Sequence, residues 1–228
     1  MATSLAEPAN RNEQTTQVAE RHIDVVFSST PCKMGSFIRF MTQNCYNHVA
    51  ISLDDSWNEL YSFARHYRDT PFFGGFVHES ETRYRDRSRV AQIKVCRIPL
   101  TEEQYVAAKA RLEDIRHNAE DYSYNIISAV VSPLHLTVRL PNSYTCVEFV
   151  SELLRLIGIP AFAKKRGGIC SIRELETRLE RYEVYRGHYP CSKHPKHDYY
   201  NRRQGVLAAT AMTVVAGAAI LRKFILRK

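Results

Sequence analysis

The six cysteines of the chain, at positions 32, 45, 96, 146, 170 and 191, include no C-x-x-C pair and no regular spacing. That excludes a dense secreted disulfide scaffold and leaves mostly free thiols in a reducing compartment. The polar N-terminus MATSLAEPANRNEQTTQ has no apolar stretch, so no signal peptide is expected there. A basic excess is missing from residues 1–185, where 23 Lys/Arg meet 23 Asp/Glu, so nothing in the body suggests nucleic-acid binding. No internal repeat is visible, and Gly74-Gly75 and Gly167-Gly168 lack the strand–helix setting of a phosphate loop. Cys191, His194 and His197 are metal-capable types, but three ligands without a fourth nearby in a basic segment do not make a closed zinc site. Neither a metal nor an organic cofactor is expected.

The 228 residues are 44% hydrophobic and 25% charged, which is ordinary globular composition. A wholly disordered chain, a collagen and a multi-span membrane protein are excluded, and one domain with extensions fits the length. The residues His22–Ser29 read as a first strand centred on Val25, Val26 and Phe27. Gly35–Gln43 reads as a short helix. From Tyr46 to Leu53 the pattern alternates, with Val49, Ile51 and Leu53 on one face and His48, Ala50 and Ser52 on the other. Turn chemistry at Asp54-Asp55-Ser56 and a returning strand over Glu59–Ala64 make a hairpin. Gly74–His78 and Val90–Pro99 are further strands, separated by a charged loop over 79–89. A helix begins at Thr101-Glu-Glu-Gln, a second covers Tyr124–Val131, and Pro141–Ser143 is a breaker and cap group. The stretch Tyr144–Ile157 carries a helical apolar stripe of Cys146, Phe149, Val150, Leu153 and Ile157, ended by Gly158 and Pro160. Ser171 and Glu174 form a capping box for another helix, and Arg181–Tyr185 is a last strand.

The charge excess sits in the tail, where residues 186–228 hold nine Lys/Arg against one Asp. Within it Gly205–Leu221 is a charge-free run of 17 residues. That is the short end of a bilayer span, lengthened by Phe224–Leu226 and by basic side chains able to reach the interface. A buried or peripheral helix is the competing reading. With cations on both sides of the run, a positive-inside count does not fix its orientation.

Cys146 opens a core helix, where unpaired N–H groups and the positive helix end favour thiolate. A cysteine that begins an apolar stripe also serves simply as a small core residue. His48 changes the balance, because a strand imidazole on a face of short side chains is the standard base for a distant cysteine nucleophile. His78, on the strand GGFVH, competes for that role. The blocks Ser28-Ser29-Thr30, Gly35-Ser36-Phe37-Ile38-Arg39, Thr42, Tyr46-Asn47-His48-Val49-Ala50-Ile51 and Tyr144-Thr145-Cys146-Val147-Glu148-Phe149-Val150 resemble the permuted papain-like amidases of the NlpC superfamily. These include the YaeF/YiiX-like proteins and, more distantly, the lecithin:retinol acyltransferase-like enzymes. His before Cys is the permuted order. The resemblance covers about residues 22–185.

What the resemblance implies is an α+β, circularly permuted papain-like domain, an antiparallel sheet of about five strands packed on a Cys-bearing helix, to which the charge-free run at 205–221 adds an expected C-terminal transmembrane helix. The expected division is an arm at 1–20, the catalytic domain at 21–186, a basic linker at 187–204 and a membrane anchor at 205–226. Cys146 is then the nucleophile and His48 the general base. Two residues of the returning strand compete to orient the imidazole. Ser62 is placed ahead on position, if a three-residue loop sets it across from His48, and Glu59 on chemistry. The backbone N–H of Cys146 is the oxyanion donor, and Tyr144 offers either its hydroxyl there or its ring to the core. The expected activity is thiol hydrolysis or acyl transfer at an amide or ester bond, with an acyl-lipid or lipid-linked amide as substrate and the catalytic domain on the cytoplasmic side. The rivals are an exported peptidase and a catalytically inactive membrane-tethered binding module of the same fold.

Overall fold

Alternation in HIDVVFS makes β1 (His22–Ser28), and the same period recurs in β2 (His48–Ser52), β3 (Tyr61–Arg65), β4 (Gly74–His78) and β7 (Gln92–Pro99). The computed structural model describes residues 21–31, 44–70, 72–86, 89–132, 136–163, 171–191 and 199–225. The expected arm at 1–20 and the expected helix Gly35–Gln43 fall outside these residues, as do Cys32, Gly167, Gly168, Cys170, His194 and His197. With β10 (Glu183–His188), the strands form one six-stranded antiparallel sheet in the order β10-β7-β1-β2-β3-β4. The sixth strand is supplied by β10, which pairs with β7 through a register shift between Glu183 and Tyr185.

Both faces of the sheet are covered. On one, Val25, Phe27, Val49, Ile51, Phe63 and Phe76 pack in a cluster with the helix α3 (Cys146–Leu156). On the other, Val26, Ala50, Leu60, Ile93 and Val95 meet Tyr84 and Tyr189. The remaining helices are α1 (Glu102–His117), capped reciprocally by Thr101 and Gln104, the short α2 (Ile126–Val131), α4 (Ile172–Leu179) and α5 (Val206–Ile225). The small strands β5 (Arg85–Asp86) and β6 (Arg89–Val90) form a hairpin, while β8 (Ser123–Tyr124) and β9 (Ser143–Tyr144) pair in parallel just before α3.

Three local expectations change. The β2–β3 loop spans residues 53–60 rather than a tight turn, with Trp57 at φ 54° and its indole N–H donating to buried Asp24 at 2.7 Å. The segment 79–89 is not a solvated charged loop, since Glu79, Ser80, Arg83 and Tyr84 are all buried in it. The expected linker also joins the body, with Tyr189 and Tyr200 buried.

The helix α5 has a mean hydropathy of 1.5 and is long and apolar enough to cross a membrane. Its less exposed positions, Ala209, Met212, Thr213, Ala216, Ile220 and Lys223, recur at helical spacing and form one stripe. Lys223 Nζ donates to Ser123 Oγ at 3.1 Å and to the Asp121 carbonyl at 3.2 Å, which ties that end of the helix to the body. Val206, Leu207, Val214, Val215 and Leu221 are exposed.

Candidate active site

Thr145 fixes where α3 begins. Its hydroxyl accepts from the Glu148 N–H at 3.1 Å, and Glu148 accepts from the Thr145 N–H at 2.7 Å. Glu148 is held further by Ser128 Oγ at 2.6 Å. The reciprocal cap makes Cys146 the first residue of the helix, where the N–H groups of Cys146 and Val147 have no acceptor within the helix and the dipole is positive. Pro141–Ser143, expected to be the cap group, lies just upstream and is not the cap.

His48 is the first residue of β2 and is buried. It shares a face with Ala50 and Ser62, whereas α3 packs on the Val49 and Ile51 face. Because the strand starts at His48, the ring sits at the end of the sheet layer, near enough to Cys146 for the sulfur to bear on its protonation. Its Nε2 lies 2.7 Å from Glu79 Oε1. An ionised Glu79 accepts the Nε2 proton, so Nδ1 is the nitrogen left for the thiol.

Glu79 follows β4, and its N–H bonds the Leu60 carbonyl at 2.7 Å. A single 3-10 turn over Glu81–Arg83 swings the chain back, so Arg83 pairs with Glu79 Oε2 while Ser62 Oγ donates to Oε1. The carboxylate is 4% exposed and has cationic or hydroxyl partners on both oxygens. Burial alone would raise its pKa. The charges of Arg83 and His48, with the bonds from His48 and Ser62, outweigh burial and hold it well below the usual carboxylate range. For His48 burial pushes the other way, and the Glu79 charge and hydrogen bond together with the neighbouring Cys146 sulfur override it, raising the ring to about 9. An imidazolium is therefore favoured near a sulfur that sits at the first position of a helix.

The structure thus brings together Cys146, His48 and Ser62 of the residues expected from sequence, and it corrects the orienting group. Ser62 acts on Glu79, not on the ring. The observed register pairs Ile51 with Tyr61, which carries Ser62 across from Ala50, two residues from the expected position. Glu59 is elsewhere, paired with His78 at 2.7 Å, and the His78 ring stacks on Tyr61 with 4.8 Å between centroids. His78, the competing base, is therefore separate from the sulfur site. Tyr144 packs edge-on to Phe63 at 5.1 Å and engages Arg111, so it serves the core rather than the oxyanion position. Tyr124 is the phenol beside the sulfur, pushed up by burial and then by Cys146.

Sequence reasoning missed Glu79, Arg83 and Tyr124. A signal for Glu79 exists, because Val77 stands across from Ser62 and strand alternation puts Glu79 on that same face. The other thiols differ. Cys96 is pushed up to about 12 by burial, Cys45 is exposed and Cys191 is half-buried. Among the described residues no group of His, Cys, Asp and Glu is arranged to hold a metal. No family model, curated protein or solved structure matches the chain.

Proposed function

We propose that the protein is a thiol hydrolase or acyltransferase that cleaves an amide or ester bond beside a membrane. The observation that supports this is the pairing of His48 with Glu79, a buried carboxylate with a charge partner of its own, beside Cys146 at a helix N-terminus. The blocks around His48 and Cys146 that resemble the permuted papain-like amidases support the same reading.

In this chemistry His48 Nδ1 takes the thiol proton and the sulfur attacks the carbonyl carbon. The N–H groups of Cys146 and Val147 stabilise the resulting oxyanion. The tetrahedral adduct collapses to a thioester, and His48 returns its proton to the departing amine or alcohol. Water, or an alcohol or amine in the transferase case, then attacks the thioester with His48 again as base, and the second adduct breaks its C–S bond, releasing the acyl product and returning the proton from His48 to the Cys146 sulfur. Glu79 stays ionised throughout and stabilises the imidazolium. With the exposed apolar face of α5 in a bilayer, an acyl-lipid or lipid-linked amide is the substrate class nearest the site.

Thiol labelling tests this first. Iodoacetamide at neutral pH is expected to alkylate Cys146 at least about tenfold faster than exposed Cys45, as a thiolate does. Equal, slow labelling of both supports the inactive binding module instead. Acyl esters and N-acyl amides supplied with and without an added amine then separate hydrolysis from transfer by product analysis. A Cys146→Ser enzyme that turns over such substrates as fast as the original sinks the mechanism.

A further inference from the structure

We propose that Tyr200, in the segment leading into α5, is a positioning residue for His48 and acts through Arg83 and Glu79. This rests on the thiol-enzyme reading only for its consequence in catalysis.

The geometry is a stack of buried side chains from distant parts of the chain. Arg83 is 6% exposed and carries its charge on the Glu79 carboxylate. One of its nitrogens donates to the Arg65 carbonyl at 2.6 Å. Its guanidinium carbon lies over the Tyr200 ring, 4.2 Å from the centroid. Tyr200 is in turn held at both ends. Arg65 donates to its hydroxyl at 3.1 Å, and its carbonyl accepts from the Arg68 N–H at 3.0 Å. Its neighbour Tyr199 donates to the His78 carbonyl at 2.6 Å. Tyr200 is 3% exposed, so the ring closes the guanidinium off from water.

Each contact has a distinct consequence. A buried guanidinium seated over an aromatic ring and bonded to a carbonyl has little freedom to rotate. It therefore holds one oxygen of Glu79 in a single place, which aims the other at His48 Nε2. Remove the ring and water reaches Arg83, the Glu79 carboxylate gains alternative positions, and the imidazolium loses part of its partner. The titratable groups facing His48 are Glu79 and Cys146. Those facing Glu79 are His48, Arg83, Tyr84, Tyr189 and Tyr199. The chain that leads into the apolar helix is in this way part of the support of the site.

The test is the side-chain titration of His48 by NMR in the full-length protein in detergent micelles, assigned with His48→Gln. Tyr200→Phe keeps the ring face and is expected to leave the titration within a few tenths of a unit. Tyr200→Leu keeps apolar bulk without the face and is expected to lower it by about one unit, a tenfold change in proton affinity. Arg83→Lys, which keeps the charge but loses the flat fork, is expected to shift it the same way. It serves as the second variant where labelling of buried Cys96 shows that Tyr200→Leu has unfolded. Identical His48 titrations in the original protein, Tyr200→Leu and Arg83→Lys overturn the relay. A Cys146 in the original protein that alkylates no faster than Cys45 overturns the thiol-enzyme reading while leaving the relay to be decided by His48.

Discussion

Glu79 and Glu59 are both acidic, both near a histidine and twenty residues apart, yet their surroundings assign them different work. Glu79 is buried with Arg83, Ser62 and His48 around it, whereas Glu59 is a half-exposed partner of His78. On the proposed chemistry Glu79→Gln is expected to lower turnover by about 10²-fold, the lower end of what a correctly oriented base contributes. Glu59→Gln is expected to stay within about twofold, since exposed pairs of this kind contribute little. Steady-state kinetics on any accepted substrate measures both, and a Glu59→Gln loss matching that of Glu79→Gln refutes the assignment. The pH dependence follows from the same ring. A histidine whose pKa is raised by folding adds stability that is complete below its ordinary value of about 6.5 and is lost as pH rises through about 9. The thermal midpoint is thus expected to fall between pH 6.5 and 9 more steeply in the original protein than in His48→Gln. Parallel curves in thermal melts at those pH values contradict the charged pair.

At the scale of elements, α3 and α5 decide most. The start of α3 is set by the Thr145–Glu148 box, and that box alone places Cys146 at the first helical position. Thr145→Ala is expected to cost about 1 kcal/mol of stability, the usual worth of such a cap. It is also expected to slow Cys146 alkylation at neutral pH, because the first turn frays away from His48. Denaturant melts and alkylation rates read the two effects, and an unchanged rate separates the cap from the sulfur's reactivity. α5 is long and apolar enough to cross a membrane, and the proposed membrane contact is placed on its exposed apolar face. Ending the chain after Gln204 is expected to move the protein from the membrane pellet to the supernatant in fractionated cells. Retention in the pellet locates the membrane contact elsewhere.

Over the whole molecule, two layers of packing on a six-stranded sheet bring together groups that lie far apart in the chain, His48 with Cys146 and Arg83 with Tyr200. Much of this was legible from local pattern. An apolar centre gave β1 and alternation gave β2 close to their ends, and the apolar stripe gave α3, because each burial pattern is a property of neighbouring residues. Cys146 and His48 were legible for a different reason, since a helix-start thiol and a strand imidazole on a face of small side chains are themselves local features. The orienter was not. Hairpin register depends on the loop, and the β2–β3 loop is lengthened by Trp57 reaching Asp24 across the sheet, a contact between residues 33 positions apart. That moved Ser62 by two positions and left the ring to Glu79.

The sequence by itself pointed to the five long strands from β1 to β7, the main helices, the apolar C-terminal helix and the Cys146 and His48 side chains, because composition and period act within one turn or one strand. Only the tertiary structure decided which carboxylate faces His48, that the charged stretch at 79–89 turns inward, and that Tyr200 closes over Arg83. Burying Glu79 and Arg83 is tolerable only as a pair with hydroxyl, imidazole and aromatic partners around them, and those partners come from β2, β3 and the segment before α5.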